Sequence, residues 1–237
     1  MSSGMSSRTP GLAQAVEQQM RNWELARAQR PVPAEDASAP EVADFVTIAR
    51  TVASGGGEIA RALGTRLRWP VFDRELLDVM SSDDRARRAI YERLDERDVS
   101  WLEAMLRSVM VTTFQREDYL HKLTRTVLSL ARKGPGVFLG RAADLMLPRD
   151  RGLRVYVTAS EKRRARAFAL RTNITEALAA PEVERIDRER ADFRRHHFGD
   201  TANELTRYDL VIVMDHFDTE HAVELICAAL RARGITH

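Results

Sequence analysis

The 237-residue chain is 44% hydrophobic and 30% charged with a net charge of +2, the make-up of a soluble globular protein. No apolar run approaches the ~20 residues that cross a bilayer, which excludes a membrane-spanning class, and so small a net charge supplies no global field for nucleic acid. The single cysteine, Cys227, excludes a disulfide within the chain and suits a reducing compartment; with no apolar signal core in the first twenty residues, the expected location is cytoplasmic.

Residues 1–44 read as an N-terminal helix and linker, partly disordered. Ala13, Val16, Met20 and Trp23 recur at helical spacing within Ala13–Arg30, and the Pro/Ala/Asp segment RPVPAEDASAP that follows cannot bury a core. From Phe45 the pattern changes. FVTIAR (Phe45–Arg50) is a strand candidate, ASGGG (Ala53–Gly57) a small-residue loop, and Ile59, Ala62, Leu63 and Leu67 mark a helix. A second strand is expected at Pro70–Asp73, followed by helices to about Leu94 and a long helix over Trp101–Arg132. Leu120, Leu123, Val127 and Leu130 form its apolar stripe, which leaves core packing and a homodimer seam through 101–132 both open. Three further apolar runs, Gly136–Gly140, Leu153–Ala159 and Asp209–Asp215, complete five strands separated by helices. The last helix is expected over Thr219–Arg233, with Cys227 as a small core residue. The pattern predicts an α/β fold with a doubly wound, mostly parallel five-stranded sheet and a helical N-terminal extension.

Glycines between a strand and a helix let successive backbone N–H groups converge on one concavity, where the helix N-terminus adds positive partial charge. Ser54, Gly55, Gly56 and Gly57 hold that position and are expected to bind phosphate. The usual pattern Gly-x-x-x-x-Gly-Lys-Ser/Thr is not met. With Gly55 as its second glycine, Gly56 replaces the lysine, Gly57 the magnesium-binding hydroxyl, and Arg50 the first glycine. Glu58 follows at once and is expected to turn outward, as a first-turn acid does. Only Lys122, Lys133 and Lys162 are lysines among 37 basic residues, so phosphate-binding charge must come from arginine.

The run VTIARTVASGGGEIARALGTRL with WPVFDRELL resembles the opening of the cytidylate kinase-like family, whose GSGGREIA-type loop lacks the lysine. FLGRAADLML (Phe138–Leu147), IDRERADFRRHHFG (Ile186–Gly199) and YDLVIVMD (Tyr208–Asp215) resemble its later segments in the same order. The resemblance runs from about Phe45 to the C-terminus. It implies a P-loop nucleotide kinase fold over 45–237, a helical insertion near 74–133 and a lid-like region near 160–200. Two positions depart from the pattern: Gly57 stands where family members carry arginine, and Ala53 where they often carry glycine.

The resemblance also implies roles. Asp73 and Arg74 are expected at the acceptor pocket, with Arg190 and Asp144 as further substrate-binding residues. Arg141, just beyond the third strand, is the leading catalytic candidate, its planar fork suited to phosphate. Asp144 is expected to orient Arg141, to hold magnesium, or to pair with Arg141 locally. Arg163, Arg164, Arg166 and Arg171 fall in the lid, with Arg163 and Arg166 chosen as catalytic. Asp187, Arg190 and Arg194 share one helix face, and the adjacent His196 and His197 point to different sides, against a shared metal. The expected ligands are ATP with Mg²⁺ and a small acceptor such as CMP, without nucleic acid or membrane. The rival expectation is a nucleotide-binding sensor or scaffold that has lost turnover along with the lysine.

Overall fold

The computed structural model describes residues 42–92, 94, 96–110 and 118–235, together with the isolated helical positions Gln18 and Arg21. The rest of the helix and linker expected over residues 1–44 lies outside the described residues, except Val42, Ala43 and Asp44. Val42 and Ala43 are buried and the Ala43 N–H donates to the Ala131 carbonyl at 2.8 Å, so the packed body begins ahead of Phe45.

All five expected strands form: β1 (Phe45–Arg50), β2 (Val71–Phe72), β3 (Gly136–Leu139), β4 (Leu153–Thr158) and β5 (Leu210–Val213). They pair in parallel in the order β2-β3-β1-β4-β5. The chain leaves β1 toward one edge to reach β2, then returns through β3 and passes over β1 to β4. Right-handed crossovers therefore place the first helix on one face and the helices between β2 and β5 on the other.

The two apolar clusters follow from that winding. On one face, Ile59 and Leu63 of α1 (Gly56–Leu67) and Ile226 and Leu230 of α9 (Thr219–Ala232) pack on Val46, Ile48, Val155 and Val157. Cys227 is buried there, and the apolar surroundings raise its thiol pKa. On the other face lie α2 (Arg74–Ser82), α3 (Asp84–Tyr91), α4 (Glu96–Met110), α5 (Asp118–Lys133) and the short α6 (Ala143–Met146). Phe72 and Phe138 stack there with ring centroids 5.1 Å apart.

The long helix expected over Trp101–Arg132 is divided between α4 and α5, with residues 111–117 outside the described set. Leu120, Leu123, Val127 and Leu130 are fully buried within this chain, so their stripe is core packing and those side chains offer no seam to a second copy. Beyond β4, α7 (Glu161–Thr172) and α8 (Glu176–Phe198) form an antiparallel pair, turned by Asn173 in the left-handed region. The pair folds back so that Phe168, Ala169, Ala179 and Val183 pack around Val52 of the glycine loop. The expected lid-like region is thus in contact with that loop.

Candidate active site

The C-terminal ends of β1, β3 and β4 meet at the centre of one sheet edge, where the winding reverses and ligands of open α/β sheets bind. The glycine loop leaves β1 there. Ala53 (φ 58°) and Gly55 (φ 90°) take left-handed backbone, and Gly55 caps α1 without a side-chain hydrogen bond. The first intrahelical amide is that of Ile59, bonded to the Gly55 carbonyl at 3.1 Å, so the amides of residues 56–58 lie ahead of the ladder. The Ser54 hydroxyl turns inward and donates to the Thr51 and Val157 carbonyls at 3.0 and 3.1 Å. Ser54 therefore braces the loop against β4, and its contribution to a phosphate cradle is through backbone. Glu58 is exposed and lies 3.6 Å from Arg61, a cation that stands with it at the rim of the glycine loop.

Two cavities flank this edge. The larger, of about 910 Å³, is lined by residues 50–58 with Arg61, Arg163, Arg171 and Asp218. The smaller, of about 360 Å³, has Tyr156, Phe193 and Tyr208 among its walls with Arg74, Arg141, Arg190 and Arg194. The Tyr156 and Tyr208 rings lie 5.0 Å apart, and burial raises both phenol pKa values. Arg50, Thr51 and Arg190 line both cavities and mark where they join.

Arg50 is the residue the sequence reading passed over. As the residue at the first-glycine position it drew no role, yet its side chain runs beneath the loop with two glycines making room. A Cβ on Gly56 would meet Arg50 Cβ and Cγ at 3.0 Å, and one on Gly140 would collide with the guanidinium. Burial lowers its pKa to about 10, with neighbouring Arg190 acting in the same direction, so it remains charged at neutral pH. The Arg190 guanidinium donates to the Arg50 carbonyl at 3.1 Å and is likewise lowered, chiefly by burial.

The remaining arginines are sorted by their partners. Arg163 donates to the Met214 carbonyl and lines the larger cavity, as does Arg171. Arg166 is exposed on α7 and lines neither cavity, in contrast to its selection as a catalytic residue. Arg164 is buried against Asp187, whose other oxygen accepts the Val52 N–H at 2.7 Å. Asp187 thus ties α8 to the glycine loop.

Arg141 and Asp144 do not pair with each other. Gly140, Arg141 and Ala142 all have positive φ, a left-handed run that sends the two side chains apart. Arg141 pairs with Asp78 of α2, which also accepts the Tyr119 hydroxyl at 2.6 Å and lies 3.9 Å from Arg74. Asp144 is buried and accepts both Nη atoms of Arg194, each at 2.8 Å. Asp144 therefore neither orients Arg141 nor is free for magnesium. Asp73 caps α2 by accepting the Leu76 N–H at 3.0 Å, and its charge acts favourably on Arg50.

Sequence reasoning also missed Arg154. It is 1% exposed and donates to the carbonyls of Asp144, Leu147, Pro148, Arg149 and Arg151, fastening the segment that carries Asp144. Its only advance signal was an arginine inside an otherwise apolar strand.

The protein groups do not form a magnesium cage. Gly57 has no hydroxyl at the usual ligand position, and no three His, Cys, Asp or Glu side chains gather to hold a metal among the described residues. Mg²⁺ keeps most of its water and binds largely through substrate phosphates. Among the described residues, no helix is long and apolar enough to cross a membrane.

The sequence profile of the cytidylate kinase-like family matches residues 45–216. A curated cytidylate kinase from Methanothrix thermoacetophila is 35% identical over 108 residues, 44% of this chain and 59% of that protein, so the chain spans about three-fifths of this relative's length. An uncharacterized protein from Eubacterium ventriosum has a crystal structure similar in fold, with a TM-score of 0.64 at 19% identity over 80% of this chain and 98% of its own. Shikimate kinase from Bacteroides thetaiotaomicron is more distant, with a TM-score of 0.45 at 10% identity over 79% and 98% of the two chains. The family profile, which spans the glycine loop, the whole lining of the smaller cavity and the helix pair α7–α8, shows that this chain belongs to the cytidylate kinase-like family.

Proposed function

We propose that the protein is a phosphotransferase that moves the ATP γ-phosphoryl to CMP or a similar small acceptor. The observation that carries this reading is the junction of two cavities at Arg50, Thr51 and Arg190, beside the glycine loop at the sheet's switch point. A donor in the larger cavity would lay its phosphates on the amides at the start of α1. An acceptor in the smaller cavity would set an aromatic base near Tyr156 and Tyr208 and its phosphate among Arg74, Arg141 and Arg190. Phosphoryl transfer asks mainly for position and for charge spread over the moving oxygens, and cations at the junction supply that charge.

Arg163 and Arg171 reach the donor cavity from α7 and would close over the polyphosphate. Asp187 would hold α8 and the loop together, so that closure and loop geometry are linked. One observation favours the second reading, binding without turnover: a side chain at Gly57 would meet open space, yet no cation stands there.

Thermal melting tests nucleotide binding. ATP or ADP with Mg²⁺ at about 100 times its dissociation constant should stabilise the protein by ~2.7 kcal/mol, and CMP should add a further shift in its own cavity. Absence of any shift with nucleoside mono-, di- and triphosphates at millimolar concentration would contradict both readings.

A further inference from the structure

We infer that Arg50 takes the place of the absent phosphate-loop lysine, and that an arginine at 50 and a lysine at 56 are mutually exclusive ways of charging this loop. The inference rests on the phosphotransferase reading and adds to it the group that would contact the moving phosphoryl.

Three observations carry it. The first is position. Arg50 ends β1, three residues ahead of Ala53, and its side chain lies at the junction of the two cavities. A lysine at Gly56 would approach that region from the first turn of α1. The two side chains would bring positive charge to one place from opposite ends of the same loop.

The second is space. The Arg50 stem passes so close to Gly56 that even a Cβ there would sit 3.0 Å from two of its carbons, inside ordinary van der Waals contact. A lysine stem would need the volume that Arg50 fills. Gly140 is matched to the same side chain from β3, since a Cβ there would overlap the guanidinium. The seat of Arg50 thus asks for glycine at 56 and adds to the left-handed backbone (φ 77°) that already favours glycine at 140. The sequence shows this only as a departure from the usual pattern at two positions, 50 and 56.

The third is charge. Arg164, Arg141 and Arg194 each have a carboxylate in ion-pair contact, namely Asp187, Asp78 and Asp144. Among the described residues the Arg50 guanidinium has no such partner; Asp73 acts on it from a distance while Arg190, Arg74 and Arg141 oppose it. A largely buried cation surrounded by other cations is costly without an anion. A phosphoryl group at the cavity junction supplies that anion.

The test is a double-mutant cycle read in two ways. Arg50→Met keeps the apolar stem and removes the charge. It should lower turnover at least ~10²-fold, the loss seen when one transition-state donor is removed, and weaken inorganic triphosphate binding by calorimetry at least ~10-fold while melting no lower than wild type without ligand. Gly56→Lys alone should lower the melting temperature and bind triphosphate poorly. Arg50→Gly with Gly56→Lys, which restores Gly-x-x-x-x-Gly-Lys, should melt higher than Gly56→Lys alone and recover binding to within a few-fold of wild type. Wild-type binding and turnover retained in full by Arg50→Met would overturn the inference and leave the phosphotransferase reading intact. Arg50→Gly alone closes the cycle, and melting shifts of the two single variants that simply add in the double variant would overturn the exclusion. A wild-type protein that binds no triphosphate would overturn both readings together.

Discussion

Arg194 and Arg190 lie one helical turn apart on α8 and face the same cleft, yet their surroundings are opposite. Arg194 is locked to buried Asp144 by two bonds of 2.8 Å and also donates to the Ala202 carbonyl. Hydrogen bonding to Asp144 raises its pKa against the effect of burial. Arg190 stands 3.9 Å from Asp187, donates to the Arg50 carbonyl, and has its pKa lowered. The difference teaches how to read a cleft rich in arginine. A guanidinium whose charge is met by a fixed carboxylate holds the fold, whereas one surrounded by its own kind is available to a ligand. By that rule Arg164 and Arg194 are structural, Arg50 and the more loosely paired Arg190 are the proposed ligand contacts, and Arg141, paired with Asp78 at the edge of the smaller cavity, stands between the two.

Breaking the structural side should have the largest effect on stability. Asp144→Ala leaves Arg194 buried without its carboxylate, a loss of about 3–5 kcal/mol, or roughly 10 °C in melting temperature for a chain of this size. A variant that melts like wild type would show that Arg194 is solvated in solution and that the contrast with Arg190 is not real. Gly56→Asp attacks the loop instead, by placing a carboxylate in the anion cradle and a Cβ against Arg50. It should abolish the ~2.7 kcal/mol stabilisation by saturating ATP; nucleotide affinity unchanged in the folded variant would reduce the loop to a turn.

Arg190→Ala should reverse the Asp144→Ala outcome, with melting within a few degrees of wild type and turnover lower by about 10²-fold. A variant that unfolds while its remaining folded fraction works normally would assign Arg190 to the structural side. Arg141→Ala should fall between the two, raising the acceptor KM about 10-fold with a smaller change in kcat, because the lost binding is common to ground and transition states. The smallest effect is expected at Ala53, where left-handed backbone costs an alanine what it does not cost a glycine. Ala53→Gly should raise stability by about 1 kcal/mol, measurable in denaturant, with nucleotide affinity unchanged.

The sheet was legible in the sequence because its signals are local. Apolar runs such as Phe45–Arg50 and Leu153–Thr158, with glycines and helical periods between them, need no distant partner to be recognised. The glycine loop was legible for the same reason. Side-chain partnerships were not. Arg141 and Asp144 are three residues apart and invite pairing, but the left-handed run at 140–142 separates them, and each finds its partner at least fifty positions away. Arg50 was hidden by the motif itself, since a pattern that expects glycine there registers an arginine only as a mismatch. Its meaning depends on Gly140, ninety positions later, leaving space for it. Charge counting could single out an arginine-rich cleft, but only three-dimensional contacts divide its arginines between fold and ligand.

The most direct test of the account is transfer itself. The purified 237-residue chain is incubated with ATP labelled in the γ-phosphoryl, Mg²⁺ and a panel of nucleoside monophosphates and small hydroxyl compounds, with Arg50→Met run in parallel. The account predicts label on CMP or a similar small acceptor with wild type, and at least ~10²-fold less with the variant. Tight ATP binding with no label passing to any acceptor would contradict it and would make the chain a nucleotide-binding module without turnover.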